Sequence, residues 1–282
     1  MTAKPLLNLR RVIALALSLA VGSFTIARAE TTSIRSPNGT MVADVFKPSG
    51  PGPFPVVVFS HGRSGDPAER SNMHHPLREQ YVSYWTQKGF ALVAPIRPGY
   101  GLTGGFDVES SGSNNCTVLP NYNRTAGQAA NAIVATVDWV RQQAWAKPNK
   151  ILLVGQSVGG LGTVAAAARS PEGVVGYINF AGGSGGDPKL TPGASCHPEV
   201  LQDVYANLGS SNRLPGLWFY AANDKFWGPD QPKAWGAAFN AAGGHATLNF
   251  TGPSGSDGHH LMTDSPGLWQ GKVDQFIHAR GL

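Results

Sequence analysis

Short apolar runs alternate with amphipathic stretches along most of the chain. Strand-like apolar runs occupy residues 41–46, 56–59, 90–95, 151–154, 173–180, 214–222 and 246–251. Apolar residues at helical spacing predict helices over residues 76–88, 126–143, 161–168, 198–208, 231–242 and 267–279. Near-continuous apolar strands are typical of a parallel sheet that is buried on both faces. The pattern therefore predicts an α/β fold, a mostly parallel sheet with helices on both faces.

The most informative stretch is the apolar run 151–154, which leads directly into Gly155-Gln156-Ser157-Val158-Gly159. A strand that turns into a helix at a Gly-x-Ser-x-Gly motif is the form of a nucleophile elbow, in which the serine has a strained backbone and an exposed hydroxyl. The motif is also compatible with a tight turn that carries an idle serine. The buried strand before it and the alanine-rich helix after it favour the elbow, so we predict that Ser157 is a nucleophile.

A serine hydroxyl is a weak nucleophile at neutral pH, so it needs a base that is itself oriented by a carboxylate. Loops that follow two later strands carry Asp224 and His259, which we predict to be the orienting acid and the base. Asp224 could instead cap a turn, in which case Asp230 is the next candidate. The base could also be His260. His245 precedes the last strand, and we expect it at the opposite end of the sheet.

Two backbone N–H groups are needed to hold the oxyanion of an acyl-transfer intermediate. The first is expected from Val158, the residue after the nucleophile. The second is expected from the loop that follows the strand 56–59, with Arg63 as the predicted donor and Gly62 as the alternative. The sequence leaves open whether the Arg63 side chain faces solvent or a substrate carboxylate.

Aromatic residues on the loops near the predicted site are candidates for an apolar substrate pocket. Tyr100 follows one strand, and Phe226 and Trp227 follow another. Ordinary loop packing is the alternative role for all three residues.

Histidine pairs occur at 74–75 and 259–260, and imidazole is a common metal ligand. No helical His-x-x-x-His motif or carboxylate cluster accompanies either pair, so we predict exposed loop histidines and no metal site. The proposed chemistry requires no cofactor.

The N-terminus has the pattern of a secretory signal peptide. Three basic residues lie within the first eleven, an apolar stretch follows over 12–26, and Ala27-Arg28-Ala29 ends the segment. We predict cleavage after Ala29 and a periplasmic or secreted protein, with residues 1–29 as the signal peptide and 30–282 as a single catalytic domain. A membrane anchor is the alternative, but the apolar stretch is short and interrupted by polar residues.

Loss of the predicted leader removes four basic residues and no acidic ones, so the formal charge falls from +5 to +1. A nearly neutral chain with scattered charges indicates neither a nucleic-acid-binding protein nor a polybasic membrane surface. We therefore expect a small-molecule substrate and no stable membrane anchor after cleavage.

The chain has two cysteines, Cys116 and Cys196, each within a long loop. An even number of cysteines in an exported chain predicts a disulfide. Such a bond would tie two loops above the sheet and stiffen the rim of the pocket. Two unpaired thiols are the alternative.

Four segments together resemble the α/β-hydrolase superfamily: Ser60-His61-Gly62, the elbow 155–160, Asn223-Asp224 and Asp257-Gly258-His259. Within it, the pattern is similar to the dienelactone hydrolase-like and prolyl oligopeptidase-like branch, over roughly residues 40–280. The resemblance implies the α/β-hydrolase fold and a Ser-His-Asp hydrolase. True dienelactone hydrolases carry cysteine at the elbow, so their lactone substrate is not implied here. We also expect no N-terminal propeller of the kind that prolyl oligopeptidases use to restrict access.

These observations predict an exported serine carboxylesterase that cleaves small esters through an acyl-enzyme intermediate. Three alternatives differ from it in class: a serine peptidase of the prolyl oligopeptidase-like type, an acyltransferase, and a non-catalytic binding module on the same scaffold.

Overall fold

The computed structural model describes Met1, residues 30–112 and residues 116–282. Apart from Met1, the predicted signal peptide lies outside the described residues. Within the described part, a single eight-stranded sheet forms the core. Its strands are β1 (Glu30–Ser36), β2 (Gly39–Phe46), β3 (Phe54–Ser60), β4 (Ala91–Pro95), β5 (Ala146–Gln156), β6 (Val174–Phe180), β7 (Pro215–Ala221) and β8 (His245–Thr251).

Helices connect the strands and cover the sheet. They are α1 (Pro67–Ser71), α2 (Glu79–Gln87), α3 (Tyr122–Arg141), α4 (Val158–Ala168), α5 (Pro198–Ser211), α6 (Asp230–Ala241), α7 (Leu261–Asp264) and α8 (Gln270–His278). Three short 3-10 helices lie at Gly101–Thr103, Gly258–His260 and Pro266–Leu268. Within residues 30–112 and 116–282, no helix is long and apolar enough to span a membrane.

The strand order is β1-β2-β4-β3-β5-β6-β7-β8. Strands β1 and β2 pair antiparallel, as do β2 and β4, whereas every pair from β4 to β8 is parallel. The connection from β3 to β4 carries α2 over one face, and the connection from β4 to β5 carries α3 over the other. Strands β3 and β5 therefore flank the point where the winding reverses. In open α/β sheets, ligands bind beside the carboxyl ends of the strands at this point.

The strands bury side chains on both faces, which explains their nearly continuous apolar sequences. Val56 and Val58 of β3 face the layer formed by α3 to α6, whereas Val57 and Phe59 face the layer formed by α2 and α8. Successive residues of a strand point to opposite faces. The predicted mostly parallel sheet with helices on both faces is thus confirmed.

The elements that the sequence does not predict are polar or very short. Strand β1 has the sequence ETTSIRS, and only Ile34 in it is buried. It forms the edge of the sheet, where a single buried residue gives no alternating pattern. Helices α1 and α7 contain five and four residues, which is too short for helical periodicity. Strand β5 also begins five residues before its apolar run, at Ala146.

Candidate active site

The turn between β5 and α4 places Ser157 at the carboxyl end of the sheet in a strained backbone conformation. Its φ and ψ angles are 57° and −126°, a combination that a non-glycine residue rarely adopts. A Cβ atom on Gly159 would collide with the carbonyl oxygens of Ser60 and His61, and one on Gly155 would collide with Gly159. Two glycines are therefore required for the helix to start this close to β3 and β5.

A buried hydrogen bond joins the predicted base and acid. His259 Nδ1 lies 3.1 Å from Asp224 Oδ2, and the two residues are only 4% and 2% exposed. The other carboxylate oxygen, Oδ1, accepts the amides of Phe226 at 2.8 Å and Trp227 at 3.2 Å. Asp224 accepts through both oxygens, so the neutral imidazole carries its proton on Nδ1. The Nε2 lone pair remains available as a base.

Hydrogen bonds to the backbone of His259 fix it beside the elbow. Asp257 Oδ1 accepts the amides of His259 and Lys225, each at 3.0 Å. Gln156, the residue before the serine, donates through Nε2 to the carbonyl of His259 at 3.0 Å. Among the described residues, Ser157 Oγ makes no hydrogen bond, so Gln156 provides the polar link between the two segments.

The alternative acid and bases lie away from this arrangement. Asp230 is exposed at the start of α6, where it pairs with Lys233 at 3.0 Å. His260 is exposed and does not contact Asp224. His245 pairs in register with the first residue of β7, so it lies at the amino end of the sheet.

The loop after β3 crosses directly over the serine. A Cβ atom on Gly62 would lie 3.3 Å from Ser157 Cβ. The carbonyl of Gly62 accepts a hydrogen bond of 2.7 Å from His61 Nδ1, because His61 Nε2 accepts the Arg97 amide at 3.1 Å. The N–H of the same trans peptide, which belongs to Arg63, faces the opposite way. Neither this N–H nor that of Val158 donates to another described residue, so both are available to an oxyanion.

A buried ion pair between Arg97 and Glu109 holds the backbone of this loop in place. The guanidinium of Arg97 donates to Ser60 Oγ at 2.9 Å and to the carbonyls of His61 and Gly62. Glu109, which is 1% exposed, accepts from Nε and Nη2 of Arg97. Sequence reasoning does not identify this pair, because Glu109 lies in a Gly/Ser-rich loop where a charged residue is normally solvated.

Burial and the Arg97–Glu109 ion pair shift the pKa values of His61 and Arg97. Burial, assisted by the charge of Arg97, holds the pKa of His61 well below its usual value. His61 is therefore neutral near pH 7, which agrees with its role as acceptor of an amide. Burial alone would lower the pKa of Arg97, but Glu109 and Tyr100 together, through their charges and hydrogen bonds, outweigh burial and raise that pKa.

A second peptide supports the serine from the other side. Gly183 N donates to the carbonyl of Ser157 at 3.2 Å. The carbonyl of Gly182, in the same peptide unit, accepts the hydroxyls of Tyr220 at 2.8 Å and Tyr205 at 3.0 Å. These two tyrosines are fully buried. The sequence gives no indication of this role, because both tyrosines lie within apolar segments and would be predicted only to pack in the core.

The structure corrects the predicted pocket for two of its three aromatic residues. Tyr100 is buried, and its hydroxyl donates to Glu109 at 2.8 Å. Trp227 is buried too, and its Nε1 donates to the carbonyl of Ala181 at 2.8 Å. Both side chains therefore pack inside the protein, where the polar atom of each reaches a hydrogen-bond partner.

Phe226 alone of the three keeps partial exposure, and it contacts the imidazole of His259. The two rings stack with centroids 4.0 Å apart and planes 28° apart. Trp227 packs against the same imidazole in a T-shaped arrangement, with 5.3 Å between the ring centroids. Two aromatic neighbours restrict the orientation of the ring, and an aromatic face is a favourable neighbour for an imidazolium.

The predicted disulfide is present and joins two loops at this end of the molecule. Cys116 and Cys196 are bonded, with their Cα atoms 5.0 Å apart. The Arg63 side chain, whose direction the sequence left open, pairs with Asp107 of the first of these loops. Among the residues described, no group of three or more His, Cys, Asp or Glu side chains is arranged to hold a metal ion.

Comparisons with known proteins place the chain among hydrolases. The profile of the X-Pro dipeptidyl-peptidase (S15) family matches residues 39–235. None of the curated proteins searched matches the chain in sequence. An esterase of Pyrococcus furiosus superimposes with a TM-score of 0.63 at 14% identity, over 92% of this chain and 96% of that one.

Two further structures extend the comparison. A proposed dienelactone hydrolase of Klebsiella pneumoniae gives a TM-score of 0.62 at 17% identity, over 91% of this chain and 99% of that one. The acylaminoacyl peptidase of Pyrococcus horikoshii gives 0.60 at 12% identity, over 91% of this chain but only 42% of the peptidase. At these identities the likeness concerns the fold.

The fold and its neighbours are those of an α/β-hydrolase of the dienelactone hydrolase-like and prolyl oligopeptidase-like branch, related to both esterases and peptidases. The family profile covers more than half of the chain. The protein therefore belongs to the X-Pro dipeptidyl-peptidase (S15) family of hydrolases.

Proposed function

We propose that this protein is an exported serine hydrolase that cleaves carboxylic esters through Ser157, His259 and Asp224. The observation that carries the proposal is the strained Ser157 at the start of α4, beside a buried His259–Asp224 hydrogen bond. Strained backbone at a strand-to-helix turn has a stability cost, and it is typical of a nucleophile whose hydroxyl must project toward substrate.

The proposed reaction has two steps. His259 Nε2 takes the proton of Ser157 Oγ as the oxygen attacks the ester carbonyl, and the amides of Val158 and Arg63 hold the resulting oxyanion. The imidazolium then gives its proton to the departing alcohol, which leaves an acyl-enzyme. Water attacks the acyl group by the same route in reverse and releases the acid. Asp224 keeps the imidazole oriented and balances its transient charge.

A peptidase is the second candidate, because the matching family is named for an X-Pro dipeptidyl-peptidase. An enzyme that removes dipeptides has to recognise a free amino terminus, for which a carboxylate is the usual partner. Glu109 pairs with Arg97, and Asp257 accepts two amides. Asp107 keeps one oxygen, Oδ1, without a partner among the described residues, but its Oδ2 faces the guanidinium groups of both Arg63 and Arg70, which disfavour an ammonium group there. We therefore favour esters, which also have better leaving groups than amides.

A substrate panel tests this choice. Purified protein without residues 1–29 is assayed with p-nitrophenyl acetate, p-nitrophenyl butyrate and Gly-Pro-p-nitroanilide. We expect kcat/KM for the esters to exceed that for the anilide, and Ser157→Ala to lose at least about 10³-fold on all of them with little loss of stability. Hydrolysis by Ser157→Ala at the wild-type rate would refute the nucleophile. Preference for the anilide would favour the peptidase.

The proposed export rests on the leader sequence and on the cysteines. A disulfide persists in oxidising compartments, and the Cys116–Cys196 bond is compatible with the periplasm or the medium. Expression of the full chain in a bacterial host, followed by fractionation and N-terminal sequencing, tests it. We expect a periplasmic or secreted product that begins at Glu30.

A further inference from the structure

Large apolar side chains that remain exposed are concentrated on two loops. We call residues 97–112 and 116–121, which follow β4, and residues 181–197, which follow β6, the rim loops. Outside Met1, seven such side chains are exposed among the described residues, and five of them are on the rim loops. These are Leu102 (51% exposed), Phe106 (91%), Val118 (58%), Leu119 (67%) and Leu190 (64%). The other two, Phe250 and Leu268, are 43% and 40% exposed.

The rim loops border the proposed catalytic residues on two sides. Asp107, the neighbour of Phe106, forms an ion pair with Arg63 of the loop that crosses the serine. On the other side, Gly193 N donates to the carbonyl of Lys225 at 2.6 Å, directly after the acid Asp224. The exposed apolar side chains therefore belong to segments that contact the oxyanion side and the acid side of the site.

Cross-links hold the rim loops to each other and to helix α3. The Cys116–Cys196 disulfide joins the two loops, and His197 Nε2 hydrogen-bonds the carbonyl of Cys116 at 3.1 Å. The hydroxyl of Tyr122 donates to the carbonyl of Cys196. Water in contact with apolar surface costs about 25 cal/mol per Å². A constrained group of exposed apolar side chains is typical of a surface that is covered in use.

The charge of the rim loops restricts what can cover them. The charged side chains of the first rim loop are Arg97, Asp107 and Glu109, and all three form ion pairs: Arg97 with Glu109, and Asp107 with Arg63 and Arg70. The second loop carries Asp187 and Lys189, whose charges cancel. A surface with this composition offers little to a polyanion or to a strongly charged peptide, whereas a neutral apolar phase is complementary to it.

We propose that the rim loops dock the enzyme onto neutral, water-insoluble ester substrates. This inference rests on the proposed esterase function and adds a substrate class to it. The occupant is the substrate phase and not a protein partner, because the loops border the proposed catalytic residues on two sides and a stable partner there would obstruct access to Ser157. Phe106 and Leu119 contact the apolar phase, and single ester molecules pass between the loops to the nucleophile.

An adsorption measurement tests docking without catalysis. The Ser157→Ala protein, with the rest of the mature chain intact, is mixed with a tributyrin emulsion, and the unbound fraction gives the affinity for the surface. We expect added Phe106→Ser and Leu119→Ser to weaken adsorption by at least about tenfold, because two exposed apolar side chains no longer leave water. The control carries Phe250→Ser and Leu268→Ser, equally polar changes at exposed sites outside the rim, and we expect it to adsorb like its parent.

The active chain supplies a second readout, the ratio of the hydrolysis rate on emulsified tributyrin to that on soluble p-nitrophenyl acetate. We expect this ratio to fall by about tenfold in the rim variant and to stay constant in the control. Equal losses in both variants, or no loss in either, would overturn the proposal. So would light scattering that shows a dimer which the rim substitutions dissociate, since the rim would then be a self-association surface. If no ester is hydrolysed, the proposed function fails, and adsorption alone decides the docking proposal.

Discussion

Two peptide units flank Ser157, and they are fixed in opposite chemical ways. The Gly62–Arg63 peptide is held by charged and titratable groups, His61 and the Arg97–Glu109 pair. The Gly182–Gly183 peptide is held by two neutral tyrosine hydroxyls. In each peptide, buried side chains bind the carbonyl, and the N–H points the opposite way. The N–H of Arg63 faces the proposed oxyanion, and the N–H of Gly183 binds the carbonyl of Ser157.

The two sides of the site differ in what a lost contact costs. A buried charge without its partner is far more costly than a buried hydroxyl without one. The oxyanion side therefore depends on an intact ion pair and on a neutral His61, whereas the serine side depends on hydrogen bonds that do not titrate near neutral pH. The effects of substitutions on stability and activity should therefore differ between the two sides, both in size and in their dependence on pH.

The largest effect is expected for Arg97→Met, which leaves Glu109 charged and buried. Loss of one partner of a buried ion pair costs about 3–5 kcal/mol of unfolding free energy, and kcat should fall as well. Denaturant unfolding and steady-state kinetics measure both quantities.

The double variant Arg97→Met, Glu109→Leu separates stability from positioning. It should recover part of the lost unfolding free energy, because no charge remains unpaired. Activity should stay low, because the carbonyls of His61 and Gly62 still lack the guanidinium. Recovery of kcat together with stability would show that the pair acts on folding alone.

An intermediate effect is expected on the tyrosine side. Tyr205→Phe combined with Tyr220→Phe leaves the Gly182 carbonyl without either hydroxyl, at a cost of about 1–3 kcal/mol. The serine backbone should then shift, with kcat lower by about tenfold and KM little changed. Tyr177→Phe is the matched control, because the Tyr177 hydroxyl is buried and hydrogen-bonds to none of the residues that the structure describes. An equal loss of kcat in the control would contradict the assigned role of Gly182.

The smallest effect concerns pH. The pKa of folded His61 is held low by burial and by Arg97, so the unfolded chain takes up a proton near pH 6.5 that the folded chain resists. Stability should therefore fall as the pH drops below about 6.5, and His61→Gln should reduce this dependence. Unfolding free energies at about pH 5 and about pH 7.5 measure it, with His245→Gln as a control for an exposed histidine. If the unfolding free energy changed equally with pH in the wild type, His61→Gln and His245→Gln, His61 would be excluded as the source of the pH dependence.

The sequence predicts the sheet and the order of the proposed catalytic residues, because both depend on local patterns. Apolar runs identify the buried strands, and the elbow motif occurs at the end of one of them. The supporting groups are different. Arg97 and Glu109 meet through a loop whose composition indicates exposure, and Tyr205 and Tyr220 meet Gly182 only after β6, β7 and α5 have packed together. Long-range polar contacts of this kind have no periodicity that could predict them.

The most direct test of the central claim is the reaction of the folded mature protein with a fluorophosphonate probe, followed by intact mass and peptide mapping. We predict a single adduct on Ser157 that forms at least about 100-fold more slowly in His259→Ala, because the serine then lacks its base. No adduct on the folded protein, or an adduct on another residue, would contradict the claim that Ser157 is an activated nucleophile.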